Sequence, residues 1–267
     1  MAHKESPGVW TLVVAANSDT VLNQNLLKSP CIDSRCQVIV RRGFASAGAA
    51  YNSGLAEARH EIIVFAHQDV YLPPHWLSRL ETALCQLAVA DPAWGVLGVC
   101  GIAKSSVAVG HVYSTGLGFT FGRDFRDVVE AESLDEVLLV VRRSSGLAFD
   151  VQLPGFHLYG TDICLEAQRR GMKNYIFSGF CVHNSNGVAH LPWSFWRAYL
   201  YLRRKWWDRL PISTSCTRIT RSGWPVARAV LWEWPRSLLL PSKVRCRTQD
   251  VEALYRELVR SDGLRNE

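Results

Sequence analysis

Polar residues that close an apolar run are placed at the rim of a sheet, where open α/β folds bind their ligands. Three such clusters stand out. His67-Gln68-Asp69 follows Glu61-Ile-Ile-Val-Phe-Ala66, Asn17-Ser18-Asp19 follows Trp10-Thr-Leu-Val-Val-Ala-Ala16, and Arg41-Arg42 ends Gln37-Val-Ile-Val40. The order at 67–69 sets an imidazole and a carboxylate at one cleft. His183 stands after another apolar run and before the loop Asn-Ser-Asn-Gly187. A lone histidine is usually structural. Together with Asp69, His183 completes a donor set of imidazole and carboxylate, which suits Mn²⁺ or a similar ion better than Ca²⁺. Asp162 opens a helical stretch, where the dipole favours a charged carboxylate. Each group also has a structural alternative: Asn17 and Asp162 as helix caps, Asp69 as a loop cap.

These residues need a frame. Strands are expected over Trp10–Ala16, Gln37–Arg41, Glu61–Ala66 and Trp94–Gly101. Helices are expected over Val21–Leu27, Ala45–Ala58 and Pro73–Val89, between successive strands. That alternation argues for a parallel sheet with helices on both faces. Gly110 to Gly122 holds four glycines among apolar residues and reads as a hairpin or a loop. Beyond it come a strand over Glu136–Val141, a helix over Asp162–Arg170 stopped by Gly171, and a strand over Asn174–Val182. An aromatic, basic helix follows over Pro192–Arg209, then two further helices with Pro-rich connections.

The run Ala50-Tyr-Asn-Ser-Gly-Leu-Ala-Glu-Ala58, then Ile-Ile-Val-Phe-Ala-His-Gln-Asp69, Arg142-Arg143, Phe149-Asp150, Tyr159-Gly-Thr-Asp162, Gly171 and His183 resembles the family 2-like glycosyltransferases. It looks closest to the branch whose metal motif reads His-Gln-Asp in place of Asp-x-Asp, and the match covers roughly residues 9–190. The resemblance implies an α/β GT-A (Rossmann-like) fold with a mostly parallel sheet. It assigns the nucleotide-sugar donor to Asn17, Asn52 and Gly54 with His67, Gln68 and Asp69. It assigns a divalent cation, Mn²⁺ or Mg²⁺, to Asp69 and His183, where it neutralises the donor diphosphate. Asp162 becomes the base that takes a proton from an acceptor hydroxyl, in a single displacement with inversion. Two departures stand out: His67 replaces the first acid of the metal motif, and Arg41-Arg42 stand where many relatives carry an acid that reads the base. The donor's identity therefore does not transfer. A catalytically silent nucleotide-sugar-binding module on the same fold is the alternative reading.

The 267 residues, 48% hydrophobic and 20% charged, suffice for one large domain with an appendage. The resemblance sets the catalytic domain at residues 1–190 and leaves 191–267 as a helical, Trp-rich, basic extension. Residues 1–196 carry 15 Lys+Arg against 17 Asp+Glu, whereas 197–267 carry 15 against 7. Seven of the ten tryptophans lie between Trp193 and Trp234, which points the extension at an anionic partner surface. An anionic membrane and a glycan or lipid-linked acceptor are the expected partners. No nucleic-acid motif is present, so no nucleic acid is expected. Arg203-Arg-Lys-Trp-Trp207 loosely resembles the Gln-x-x-Arg-Trp element of processive relatives without its Gln; the alternative is a core helix with a solvated basic edge. With no run of 18 apolar residues, no secretory leader and eight cysteines lacking any Cys-x-x-Cys pair, the expected setting is cytoplasmic, peripheral at the inner face of a membrane.

Overall fold

The structure, a computed structural model, describes residues 8–188, 190–233 and 244–261, with the side chains of 232 and 233 excepted. Among these, the sheet is built on β1 (Trp10–Ala16), flanked in parallel by β2 (Cys36–Arg42) and β3 (Ile62–His67). β1 is apolar almost throughout because helices cover both of its faces. Leu12 and Val14 face one core cluster, with α1 (Asp19–Gln24), α3 (Trp76–Ala90) and its Trp76 and Leu80. Val13 faces the other, with α2 (Ala47–Glu57), α4 (Tyr159–Arg169) and α5 (Trp193–Lys205).

Beyond β3 the sheet becomes mixed. β4 (Val70–Tyr71) is a two-residue strand just past the His67 cluster. The apolar run near Trp94 divides into β5 (Val96–Gly98) and β6 (Cys100–Ala103). The glycine-rich stretch is an antiparallel hairpin, β7 (Ala108–Ser114) with β8 (Phe119–Gly122). β9 (Val129–Leu134) was not foreseen, its apolar residues being broken by Glu130 and Glu132. β10 (Leu138–Arg142) inserts antiparallel between β3 and β5, which themselves run the same way. The apolar run over 174–182 is also divided, into β11 (Asn174–Ile176), parallel to β5, and β12 (Cys181–His183), parallel to β7. After α5 come a small hairpin, β13 (Ile212–Ser213) with β14 (Arg218–Ile219), and a short helix, Trp224–Arg228. A C-terminal helix, Val251–Ser261, ends the described chain. Trp234 and the Pro-rich connection expected near residue 240 lie outside the described residues.

α2 approaches the sheet closely because it is rich in Ala and Gly. A Cβ at Gly54 would collide with Val13 Cγ1, and one at Gly48 with the Asp150 carbonyl. Gly54→Ala should therefore lower stability, since an overpacking cost of up to about 3 kcal/mol exceeds the roughly 1 kcal/mol that alanine gains in a helix. Chemical denaturation checks this, and Val13→Ala in the same chain should recover part of the loss. An unchanged midpoint in Gly54→Ala would show that the contact relaxes freely.

Candidate active site

The carboxyl ends of β1 and β3 lie side by side, and Gln68 ties them. Its Oε1 accepts from the backbone N–H of Asn17 and of Ser18, both at 3.1 Å, and its Nε2 donates to Asn17 Oδ1. Ser18, not Asn17, caps α1 by accepting from Val21 N–H. β4 then pairs antiparallel with β12, His183 opposite Val70, and Asn184 N–H donates to the Asp69 carbonyl at 2.8 Å. This pairing brings Asp69 and His183 together although 114 positions separate them in sequence. His183 Nε2 lies 3.5 Å from Asp69 Oδ1, and the His67 and His183 rings are 5.5 Å apart.

One donor atom each from His67, Asp69 and His183 falls within 4.8 Å of the others, a grouping able to hold a divalent cation. Two imidazoles and one carboxylate fit a transition-type ion. The electrostatics agree. Burial opposes the charge on Asp69, but the hydrogen bond and charge of His183, with His67, more than offset it and hold the carboxyl at about 2. Burial also opposes the charge on His183, and Asp69 reverses this and raises it. Burial and His183 lower His67, keeping it neutral. His67 Nε2 is 3.0 Å from Tyr159 Oη, which donates to the Glu136 carbonyl at 3.1 Å. With its proton so used, the Tyr159 oxygen accepts from His67 Nε2–H, leaving the Nδ1 lone pair free as a ligand requires.

Because β10 runs opposite to β3, the residues leading into it also arrive at this rim. His67 N–H donates to the Val137 carbonyl, and the carboxylate of Asp135 adds negative charge near both histidines. Burial, then Asp135, pushes Glu136 up to about 8. Neither acid carried a sequence signal, since both depend on strand direction.

Asp162 lies within α4, one turn beyond Tyr159. It does not cap the helix. Its carboxylate, 1% exposed, accepts from Trp206 Nε1 at 2.7 Å and Lys205 Nζ at 2.9 Å. Lys205 also reaches Asp150 at 2.8 Å and Glu166 at 3.2 Å, and Tyr201 Oη donates to Asp150 at 2.8 Å. Burial raises the Asp162 carboxyl above its ordinary range; Lys205 and Trp206 pull it only part of the way back. Burial opposes the charge on Lys205, but Asp162 and Asp150 more than offset it and raise Lys205 further above its already high range. The Trp-rich segment thus divides. Trp196 and Trp206 pack into the core beside Tyr199 and Leu202, while Trp193 and Trp207 face outward.

The remaining candidates are engaged within the fold, with Arg41 and Arg42 opposite Ala15 and Ala16 at the end of β1. Asn52 donates to the Phe149 carbonyl at 2.8 Å and accepts from Phe149 N–H at 2.9 Å, the pairing pattern of a strand neighbour. Gly54 serves the contact with Val13. Arg41 pairs with Glu57, and Arg42 with Asp19 at 2.7 Å.

The model of glycosyl transferase family 2 matches residues 10–98, the span holding β1–β3 with His67, Gln68 and Asp69. A protein of Fuscovulum blasticum, described as ATP synthase subunits region ORF 6, is 31% identical over 142 residues, 51% of this chain; the chain spans 56% of that relative's length. A structure of GalNAc-T7 with UDP, GalNAc and Mn²⁺ superposes with a TM-score of 0.53 at 10% identity, over 97% of this chain and 55% of that one. A mannosyltransferase of Pyrobaculum calidifontis in complex with GDP-Man and Mn²⁺ has a TM-score of 0.45 at 13% identity, over 67% of this chain and 57% of that one. Residues 10–98 thus carry the glycosyl transferase family 2 sequence pattern, on a chain that folds as the GT-A glycosyltransferases do.

Proposed function

We propose that this chain transfers a sugar from a nucleotide-sugar donor to a hydroxyl of a glycan or lipid-linked acceptor, with inversion. The carrying observation is the grouping of His67 and Asp69, at the carboxyl end of β3 and inside the family 2 segment, with His183, which β12 brings to them. Asn17 and Gln68 would line the donor's side of the rim. Asp69 and His183, with His67, would hold a divalent cation such as Mn²⁺ or Mg²⁺, which when bound supplies counter-charge to a diphosphate leaving group. Asp162 is the base that accepts the acceptor's proton. Since it is buried under Lys205 and Trp206, those two side chains must swing aside before an acceptor hydroxyl reaches it.

That closure favours a second reading, a silent nucleotide-sugar-binding module. Both readings require donor binding, which raises stability by mass action, about 2.7 kcal/mol at a hundred times Kd. Thermal unfolding with a panel of nucleotide-sugars, with and without Mn²⁺, is the test, followed by transfer assays with whichever donor stabilises. Stabilisation without transfer selects the silent module, and no stabilisation by any donor removes both readings. With that donor, Asp69→Ala and His183→Ala should each reduce the Mn²⁺-dependent shift. The double variant should lose much less than the sum, because both remove one ion. Full binding and transfer in excess EDTA would show that no cation takes part.

A further inference from the structure

The outward face of α5 inverts the usual arrangement of a surface helix. Counting along α5 and just past its end, Trp193, Arg197, Leu200, Arg204 and Trp207 recur at the spacing of a single stripe, and all five are exposed. Trp193 is 51% exposed, Leu200 40% and Trp207 45%, while Phe195, Trp196, Tyr199 and Leu202 fill the buried side. Two guanidinium groups flank Trp207, that of Arg203 at 5.1 Å and that of Arg221 at 6.0 Å. Trp224, 66% exposed, follows in the next helix. From Trp193 to Leu231 the basic residues are Arg197, Arg203, Arg204, Lys205, Arg209, Arg218, Arg221 and Arg228, against Asp208 as the sole acid. Lys205 is turned inward to its three carboxylates; the stripe itself carries no acid.

We propose that this face is a docking surface for an anionic phospholipid membrane. Indole rings bring an apolar body and a polar N–H that suit headgroup depth, and arginines between them meet lipid phosphates. The charge argues against a second copy of this chain, because a two-fold contact through the stripe would set arginines against arginines. No helix among the described residues is long and apolar enough to cross a membrane, so the contact is peripheral. The inference does not depend on sugar transfer, although a lipid-linked acceptor would bring the two together.

The test uses the full chain and vesicles of phosphatidylcholine with or without phosphatidylserine. Co-sedimentation should require phosphatidylserine and fall as salt rises. Arg197→Gln with Arg204→Gln should lower partitioning on the order of 10-fold. Trp193→Ser with Trp207→Ser should lower it as well, with unfolding temperature unchanged. Val89→Ser removes an exposed apolar side chain from α3, on the opposite face of the sheet, and should leave binding intact. The proposal is overturned if the protein stays in the supernatant at low salt with phosphatidylserine present. It is equally overturned if both stripe variants bind as the parent does, or if duplex DNA binds as strongly and ignores the tryptophan substitutions.

Discussion

Asp162→Asn is expected to lower turnover by about 10²–10⁴-fold, the usual contribution of a positioned general base. The amide keeps the side chain's shape and can still accept from Trp206 Nε1, so the core around α4 should survive. It has no proton affinity to offer an acceptor hydroxyl. Donor-induced thermal stabilisation should persist, because the residues proposed to meet the donor, Asn17, Gln68, Asp69 and His183, stand at the ends of β1, β3 and β12. The two readouts separate a chemical loss from a folding loss. Turnover close to that of the parent would take the base role away from Asp162.

Lys205→Met should give the largest loss of stability. Removing one partner of a buried pair leaves an uncompensated charge and costs about 3–5 kcal/mol. Here Asp162 would be left under Trp206 with Asp150 nearby and Glu166 one turn on. The effect depends on pH, with a definite sign. The folded-state pKa of Asp162 is already raised, and loss of Lys205 raises it further. A carboxyl raised in the folded state contributes stability below its unfolded pKa and loses it as pH climbs through the folded one. The deficit of the variant should therefore be smallest at acid pH, where the Asp162 carboxyl is protonated, and widen as pH rises through its folded-state pKa. In the same variant the acid limb of the pH–rate profile should move to higher pH, while Lys205→Arg should hold both properties close to the parent. Adding Asp162→Asn to Lys205→Met should cost far less than the two separate losses together. A pH-independent deficit would show that Lys205 acts only through packing.

Much of the frame was readable before folding. β1 and β3 announce themselves as unbroken apolar runs, and a sheet covered on both faces demands such runs. Their ends marked Asn17, His67, Gln68 and Asp69, and a polar loop after an apolar run marked His183. What periodicity could not carry is direction and pairing. β4 has two residues, too few for any pattern, yet its register with β12 joins Asp69 to His183. β10 runs backwards in the sheet, and only that direction brings Asp135 and Glu136 to the rim. The basic run Arg203-Arg-Lys205 looks uniform along the chain. Helical phase and the end of α5 send its last member inward to three acids, while Arg204 stays outside. Asn52, which the resemblance points at a nucleotide, has its amide paired with the Phe149 backbone in the folded chain, a contact that no spacing in the sequence announces.

The contact between Lys205 and Asp162 also bears on how such chains can be cut and recombined. The carboxylate belongs to α4, and the cation that makes its burial tolerable arrives from α5, beyond residue 190. A fragment ending at 190 would uncover Asp162 and the apolar residues that α5 packs against, and a graft of a foreign C-terminal segment would bury the acid with no counter-ion unless it brought a lysine at the matching place. Exchange across that junction is therefore constrained by charge as well as by packing, and the two halves must travel together.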